Sequence, residues 1–168
     1  MDLYREMKAQ GKSKREFLEE AAKIEGIYVP AFYDVDYNDD GTIKSFTKNF
    51  DGAPDKIKKR IIKDFDKCFA PDNIIVPFME IIHDRIMLEI FRGCIRGCRF
   101  CQAGTIYRPV RERSPEMLLD LAKRLIDNTG YEEISLSSLS TSDYTRLKEL
   151  TDGLLELTEE KKIGLSLP

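Results

Sequence analysis

The 168-residue sequence has no tryptophan, one histidine, four cysteines and no lysine between Lys67 and Lys123. A single histidine, His83, rules out a His-based acid–base pair. With 10 glycines and 7 prolines the chain is neither collagen-like nor low-complexity, and four cysteines are too few for a disulfide-stapled mini-protein. No apolar segment follows the charged start Met1 to Glu6, so no export signal is expected. The longest apolar stretch, Ile74 to Ile82, is interrupted by Pro77 and Glu80, which excludes a membrane helix there. The expectation is a cytoplasmic protein whose thiols stay reduced. What remains is ordinary globular chemistry, 42% hydrophobic and 34% charged, enough for one domain or two small ones.

The net charge of −3 conceals an asymmetry. From Arg92 to Arg113 there are six arginines and one acid, Glu112, leaving 21 basic and 29 acidic residues elsewhere. A stretch that is basic through arginine alone points to bidentate contact with carboxylate or phosphate, or to balance for a buried anion. The plainer reading is a solvated arginine-rich loop.

Residues 1–25 read as helical, with a break at Gly11-Lys12 and a capping box in Ser13 and Glu16. Gly26 to Pro30 reads as a short strand, and Phe32 to Lys48 as a hairpin around Asn38-Asp39-Asp40-Gly41. Asp55 to Lys67 is expected to form an amphipathic helix with Ile57, Ile61, Ile62 and Phe65 on one face. Strands are expected at Ile74–Val76, Phe78–Ile82 and Arg85–Phe91. Ser114-Pro115 then opens a helix closed by Asn128-Thr129-Gly130. A strand over Glu133–Leu139, a helix capped by Ser142-Asp143 and a strand over Lys162–Leu167 follow. Strands alternating with helices imply parallel crossovers over residues 85–168.

Three of the cysteines, Cys94, Cys98 and Cys101, fall inside eight residues in the pattern Cys-x3-Cys-x2-Cys. Gly93, Gly97 and Gly104 beside them permit tight turns and close approach of backbone N–H groups to sulfur. Structural zinc normally takes four protein ligands, and a fourth here comes only from Cys68 or His83. Electron-carrier ferredoxins supply four cysteines per 4Fe-4S cluster. Three thiolates instead leave one iron open to a substrate or cosubstrate. Cys68, beside Phe65 and Phe69, reads as a small buried hydrophobe, and His83 beside Asp84 as a structural hydrogen-bonding group.

The spacing, with Phe100 directly before the third cysteine and an apolar strand directly ahead of the loop, resembles the signature of the radical S-adenosylmethionine (SAM) superfamily. The resemblance implies a 4Fe-4S cluster on Cys94, Cys98 and Cys101, SAM chelated to the open iron, and reductive cleavage to a 5′-deoxyadenosyl radical that acts on an unknown substrate. It further implies Phe100 flanking the adenine. Where the superfamily often places a glycine-rich, acid-bearing segment for the SAM amino group, this sequence has Ser135 to Ser140, so Ser137 and Ser138 become the candidate contacts. Over nearly the whole chain, Ile74–Pro77, His83-Asp84-Arg85, Arg92 to Gly104 and Tyr107 to Arg113 also resemble an uncharacterised bacterial family of radical SAM proteins. Its members carry a cobalamin (B12)-binding-type domain ahead of the barrel, which implies cobalamin held by a domain before residue 1.

The methylthiotransferases that modify tRNA or a ribosomal protein share the arginine-rich stretch, but they bring a second three-cysteine cluster that Cys68 alone does not supply. A non-enzymatic zinc or iron-sulfur module is the competing class. The arginines keep a nucleotide, nucleic acid or other anionic substrate open, and the chemistry implies a reductant such as flavodoxin or ferredoxin.

The expected fold is α/β: an α+β segment over residues 1–77, then over 78–168 the first part of a parallel β/α (TIM-like) barrel, with the cluster loop at 92–104. Only about three strands of that barrel are expected. On this reading the chain is an internal piece of a larger enzyme, inactive alone, whose last strand leaves an open edge for self-association.

Overall fold

The structure, a computed structural model, describes residues 1–79 and 81–167. It divides into two compact units, Met1–Ile61 and Ile62–Pro168.

The first unit begins with helices α1 (Asp2–Ala9) and α2 (Lys14–Ala22). The capping box at α2 forms as expected, with the Ser13 hydroxyl accepting from the Glu16 N–H and Glu16 accepting from the Ser13 N–H. The hairpin forms too, as antiparallel β1 (Tyr33–Tyr37) and β2 (Ile43–Lys48), with a register shift at Asp36/Tyr37 beside the turn. A small core of Ala22, Val29, Phe32, Tyr33 and Ala53 holds these elements together. Gly26 to Pro30 is not a strand. Gly26 turns the chain with a φ of 87°, and Pro30, which has no N–H for a ladder, opens a 3-10 turn over Pro30–Phe32.

The helix expected over Asp55–Lys67 is also absent, and the region is irregular. Lys56, Lys58, Lys59, Arg60 and Lys63 crowd one short stretch, and a helix would set Lys56 over Arg60 and Lys59 over Lys63, like charges one turn apart. The apolar residues part company as well. Ile57 packs on the first unit's core, Phe65 is buried in the second, and Ile61 and Ile62 are exposed.

The second unit is built on three parallel strands, β3 (Ile86–Glu89), β6 (Glu133–Ser137) and β7 (Gly164–Ser166), in the order β3-β6-β7. Between β3 and β6 lie the two-residue strands β4 (Phe91–Arg92) and β5 (Arg111–Glu112), the single-turn helix α3 (Ala103–Ile106) and the crossover helix α4 (Pro115–Thr129). Helix α5 (Leu147–Glu159) connects β6 to β7. Ile86, Leu88, Ile134 and Leu136 alternate onto one face of the sheet and are fully buried with Leu118, Ala122, Leu150 and Leu154 of α4 and α5. The other face carries Met87 and Glu89 opposite Ser135 and Ser137. This is a mixed α/β fold with a three-stranded parallel sheet.

Helix α4 begins and ends where its sequence directs. The Ser114 hydroxyl accepts from the Met117 N–H at 3.3 Å, Pro115 takes the first turn, and Gly130 closes the helix in the left-handed conformation. Ser114→Ala is expected to cost about 1 kcal/mol in chemical unfolding; an unchanged midpoint would mean the cap contributes nothing.

The strands expected at Ile74–Val76 and Phe78–Ile82 do not form, and residue 80, inside the second, lies outside the described residues. Pro71 and Pro77 remove ladder donors. Ala70 and Ile74 pack on the main core, while Ile75 is 95% exposed and Phe78 and Ile82 are equally open. The helix expected to start at Ser142-Asp143 starts instead at Leu147, after a 3-10 turn over Thr141–Asp143. Its capping groups are committed elsewhere: the Asp143 carboxylate binds Arg96, and the Thr145 N–H donates to Glu112.

Candidate functional site

The cysteine loop leaves the carboxyl end of β3. Ile90 donates to the Ser137 carbonyl at 3.1 Å, extending the β3–β6 contact by one residue. Phe91 and Arg92 then pair with Glu112 and Arg111 in antiparallel register, so residues 93–110 form a loop tied at its base. Gly93 sits at the tie with a φ of 106°. A Cβ there would lie 2.9 Å from the Pro109 carbonyl oxygen, the Tyr107 carbonyl oxygen and the Val110 Cα, so the two limbs approach to a distance that glycine alone admits.

Within the loop Cys94 is half-buried, while Cys98 and Cys101 are exposed. The Arg96 N–H donates to the Cys94 Sγ at 3.4 Å, and the Cys101 N–H to the Cys98 carbonyl at 3.0 Å. Gly97 supplies a second left-handed turn, with a φ of 64°.

A short segment after β6 grips this loop. Asp143 receives a two-pronged bond from Arg96, with Nε to Oδ2 at 2.7 Å and Nη2 to Oδ1. The Tyr144 hydroxyl donates to the Arg113 carbonyl at 2.6 Å, and its ring stacks on Phe91 with centroids 6.4 Å apart. Thr145 donates to Glu112 through its N–H at 3.0 Å and through its hydroxyl. The Arg96 guanidinium holds the Asp143 carboxyl below the usual carboxylate range, with help from the Ser140 side chain. Burial pushes the Tyr144 phenol up to about 12, and the nearby Glu112 charge adds to the shift.

At the carboxyl ends of β3 and β6 lies a cavity of about 290 Å³, bordered by Glu89, Arg92, Gly93, Tyr107, Ser137 and Ser138. Ligand sites of parallel α/β sheets belong at this end. The Ser138 hydroxyl pairs with that of Thr141 at 2.9 Å and accepts from the Ser140 N–H at 3.3 Å.

The arginines are resolved individually. Arg92 makes a two-pronged bond with Glu89, at 2.8 and 2.7 Å, and lies over the Phe65 ring. Arg113, only 3% exposed, covers the other part of the same aromatic contact, with its guanidinium 4.2 Å from the Phe65 ring centroid, and donates to the Phe65 and Cys68 carbonyls. Arg111 donates to the Pro109 and Tyr107 carbonyls across the base of the loop. With Arg96 on Asp143, these arginines are bound to acceptors of the chain itself. The carboxylate partners expected from an arginine-only stretch therefore include Glu89 and Asp143, inside the protein.

Ser137 and Ser138 thus share one cavity with Gly93, the residue before Cys94. Phe100 stands apart, 93% exposed. Among the described residues no three His, Cys, Asp or Glu side chains are gathered to hold a metal ion, so the structure brings together neither the three loop cysteines with one another nor these with Cys68 or His83. Asp143, Tyr144, Thr145 and Glu112 were not expected at the site. The signal was the Ser142-Asp143-Tyr144-Thr145 run a few residues after β6, which in isolation reads as a helix cap.

Residues 88–168 match the family model described as the radical SAM superfamily. Over that stretch the chain is similar to a radical SAM superfamily domain. It is also 40% identical over 68 residues to an uncharacterized protein of Methanocaldococcus jannaschii; that stretch is 40% of this chain and spans 15% of the relative's length. No solved structure matches.

The superfamily generally uses a 4Fe-4S cluster and SAM. The donor chemistry of the loop fits such a cluster: three free thiols on one segment, two of them exposed, on a backbone that turns at Gly93 and Gly97. No helix among the described residues is long and apolar enough to cross a membrane.

Proposed function

We propose that Cys94, Cys98 and Cys101 ligate three irons of a 4Fe-4S cluster, and that the chain forms the cluster-bearing part of a radical SAM enzyme. The observation that carries this reading is the placement of the loop: it springs from the carboxyl end of β3, inside the matched domain, and its first residue shares a cavity with the carboxyl end of the neighbouring parallel strand β6. Ser137 and Ser138 accept hydrogen bonds from the SAM amino group there, and Phe100 lies against the adenine. When bound, the cluster and SAM supply a 5′-deoxyadenosyl radical for hydrogen abstraction from a substrate.

The protein's own part is to orient the loop. The Arg111 bonds to Pro109 and Tyr107 fix the base of the loop, and the Arg92–Glu89 pair keeps a cation at the cavity edge without spending it on bulk solvent. Electrons come from a flavodoxin- or ferredoxin-like donor at the exposed side of Cys98 and Cys101.

Three parallel strands provide one wall of the SAM pocket, so turnover belongs to the full-length protein. Reduced anaerobically with SAM, the full-length protein is expected to release 5′-deoxyadenosine, and the present chain to hold the cluster without releasing it. A full-length protein that holds four irons yet leaves SAM intact would overturn the SAM assignment.

A further inference from the structure

The structure assigns Arg96 and Asp143 a positioning role: together they clamp the cysteine loop to the segment that follows Ser137 and Ser138. This rests on the cluster reading above.

Arg96 stands between Cys94 and Cys98, and it works in two directions at once. Its backbone N–H reaches the Cys94 sulfur at 3.4 Å, while its guanidinium reaches Asp143. The planar fork of arginine matches a carboxylate in two parallel bonds, which fixes direction as well as distance. Exposed ion pairs contribute little by themselves. Here, however, the Asp143 side chain is only 13% exposed, and the segment carrying it is anchored independently. Tyr144 bonds the Arg113 carbonyl and stacks on Phe91, and Thr145 bonds Glu112. Asp143 is therefore a fixed point, and Arg96 ties the loop to it.

The loop's other end is already held, through Glu112 on β5. Without the Arg96–Asp143 pair, the stretch carrying Cys94 and Cys98 keeps only its base contacts and opens to solvent. Partners that orient metal ligands typically change metal retention by about 10- to 100-fold when removed. The pair also links the two halves of the proposed site, because Asp143 sits on the 3-10 turn that begins at Thr141, the hydroxyl partner of Ser138.

The test is iron release from the anaerobically reconstituted chain to a chelator, with the EPR signal of the reduced cluster recorded in parallel. Asp143→Asn and Arg96→Gln are each expected to speed release about tenfold and to alter the EPR line shape. The double variant should be no faster than either single one. The charge-exchanged pair Arg96→Asp with Asp143→Arg should recover most of the retention. Glu116→Gln, which removes a partner of Arg146 without touching the loop, should release iron at the wild-type rate.

Wild-type rates in both single variants, or additive effects in the double, would overturn the clamp. Equal acceleration by Glu116→Gln would reduce it to general stability and overturn it too. Arg96 lies on the exposed loop, so Arg96→Gln keeps the test decisive if Asp143→Asn folds poorly, with circular dichroism as the check. A wild-type chain that takes up no iron would bring down the cluster reading itself, a result distinct from every variant outcome.

Discussion

Alanine in place of Cys98 leaves the chain unable to retain iron. After anaerobic reconstitution the wild-type protein is expected to hold about four irons and the Cys98→Ala variant almost none. The size of the effect follows from the site's economy of donors. Three free thiols stand on the loop, and two thiolates do not hold a cube with a corner already open to a small molecule. Cys68→Ala is the matching comparison. Cys68 lies on the turn whose carbonyls receive Arg113, so its role is through the backbone, and its thiol is dispensable. Iron loss in Cys68→Ala equal to that in Cys98→Ala would restore a four-cysteine site and remove the open iron.

Gly93→Ala is expected to be the most destabilising small substitution in the second unit, by roughly 3 kcal/mol. Two costs combine. A non-glycine residue at a φ of 106° is strained, by about 1–3 kcal/mol. The new methyl also meets three backbone atoms at 2.9 Å, and backbone does not swing aside as a flexible side chain does, which adds about 1–3 kcal/mol of overpacking. Gly130→Ala separates the two terms, because Gly130 is also left-handed, with a φ of 70°, but nothing lies within 4 Å of its added carbon. It should cost about 1 kcal/mol. Thermal unfolding should show the Gly93 variant lowered by about 10 °C and the Gly130 variant by about 3 °C. Equal shifts would mean that the close approach at the loop base is not a constraint on the fold.

How much of this was legible in the sequence depends on whether local rules and tertiary contacts agreed. Helix α4 was legible because Ser114, Pro115 and Gly130 each act on their own backbone. Strands β3, β6 and β7 were legible because alternating apolar residues found the face they needed, with Ile86, Leu88, Ile134 and Leu136 all fully buried. The Asp55–Lys67 helix failed for an electrostatic reason, the crowding of lysines at helical spacing, which apolar periodicity does not register. The Ile74–Val76 strand failed because strand propensity is satisfied only by a partner, and this segment pairs with no strand among the described residues. At the site, the cysteines and the two serines were marked by their own chemistry. The Asp143–Arg96 pair was not, because the two residues are separated by α3, β5, α4 and β6 and are brought together by the pairing of β6 with β3.

The most direct test of the central claim is Mössbauer spectroscopy of the chain reconstituted anaerobically with ⁵⁷Fe, with total metal determined on the same sample. The account predicts about four irons per chain in a cubane signal, one iron distinguishable from the other three because no thiolate holds it. A single tightly bound zinc, or a cluster of four equivalent cysteine-ligated irons, would contradict it.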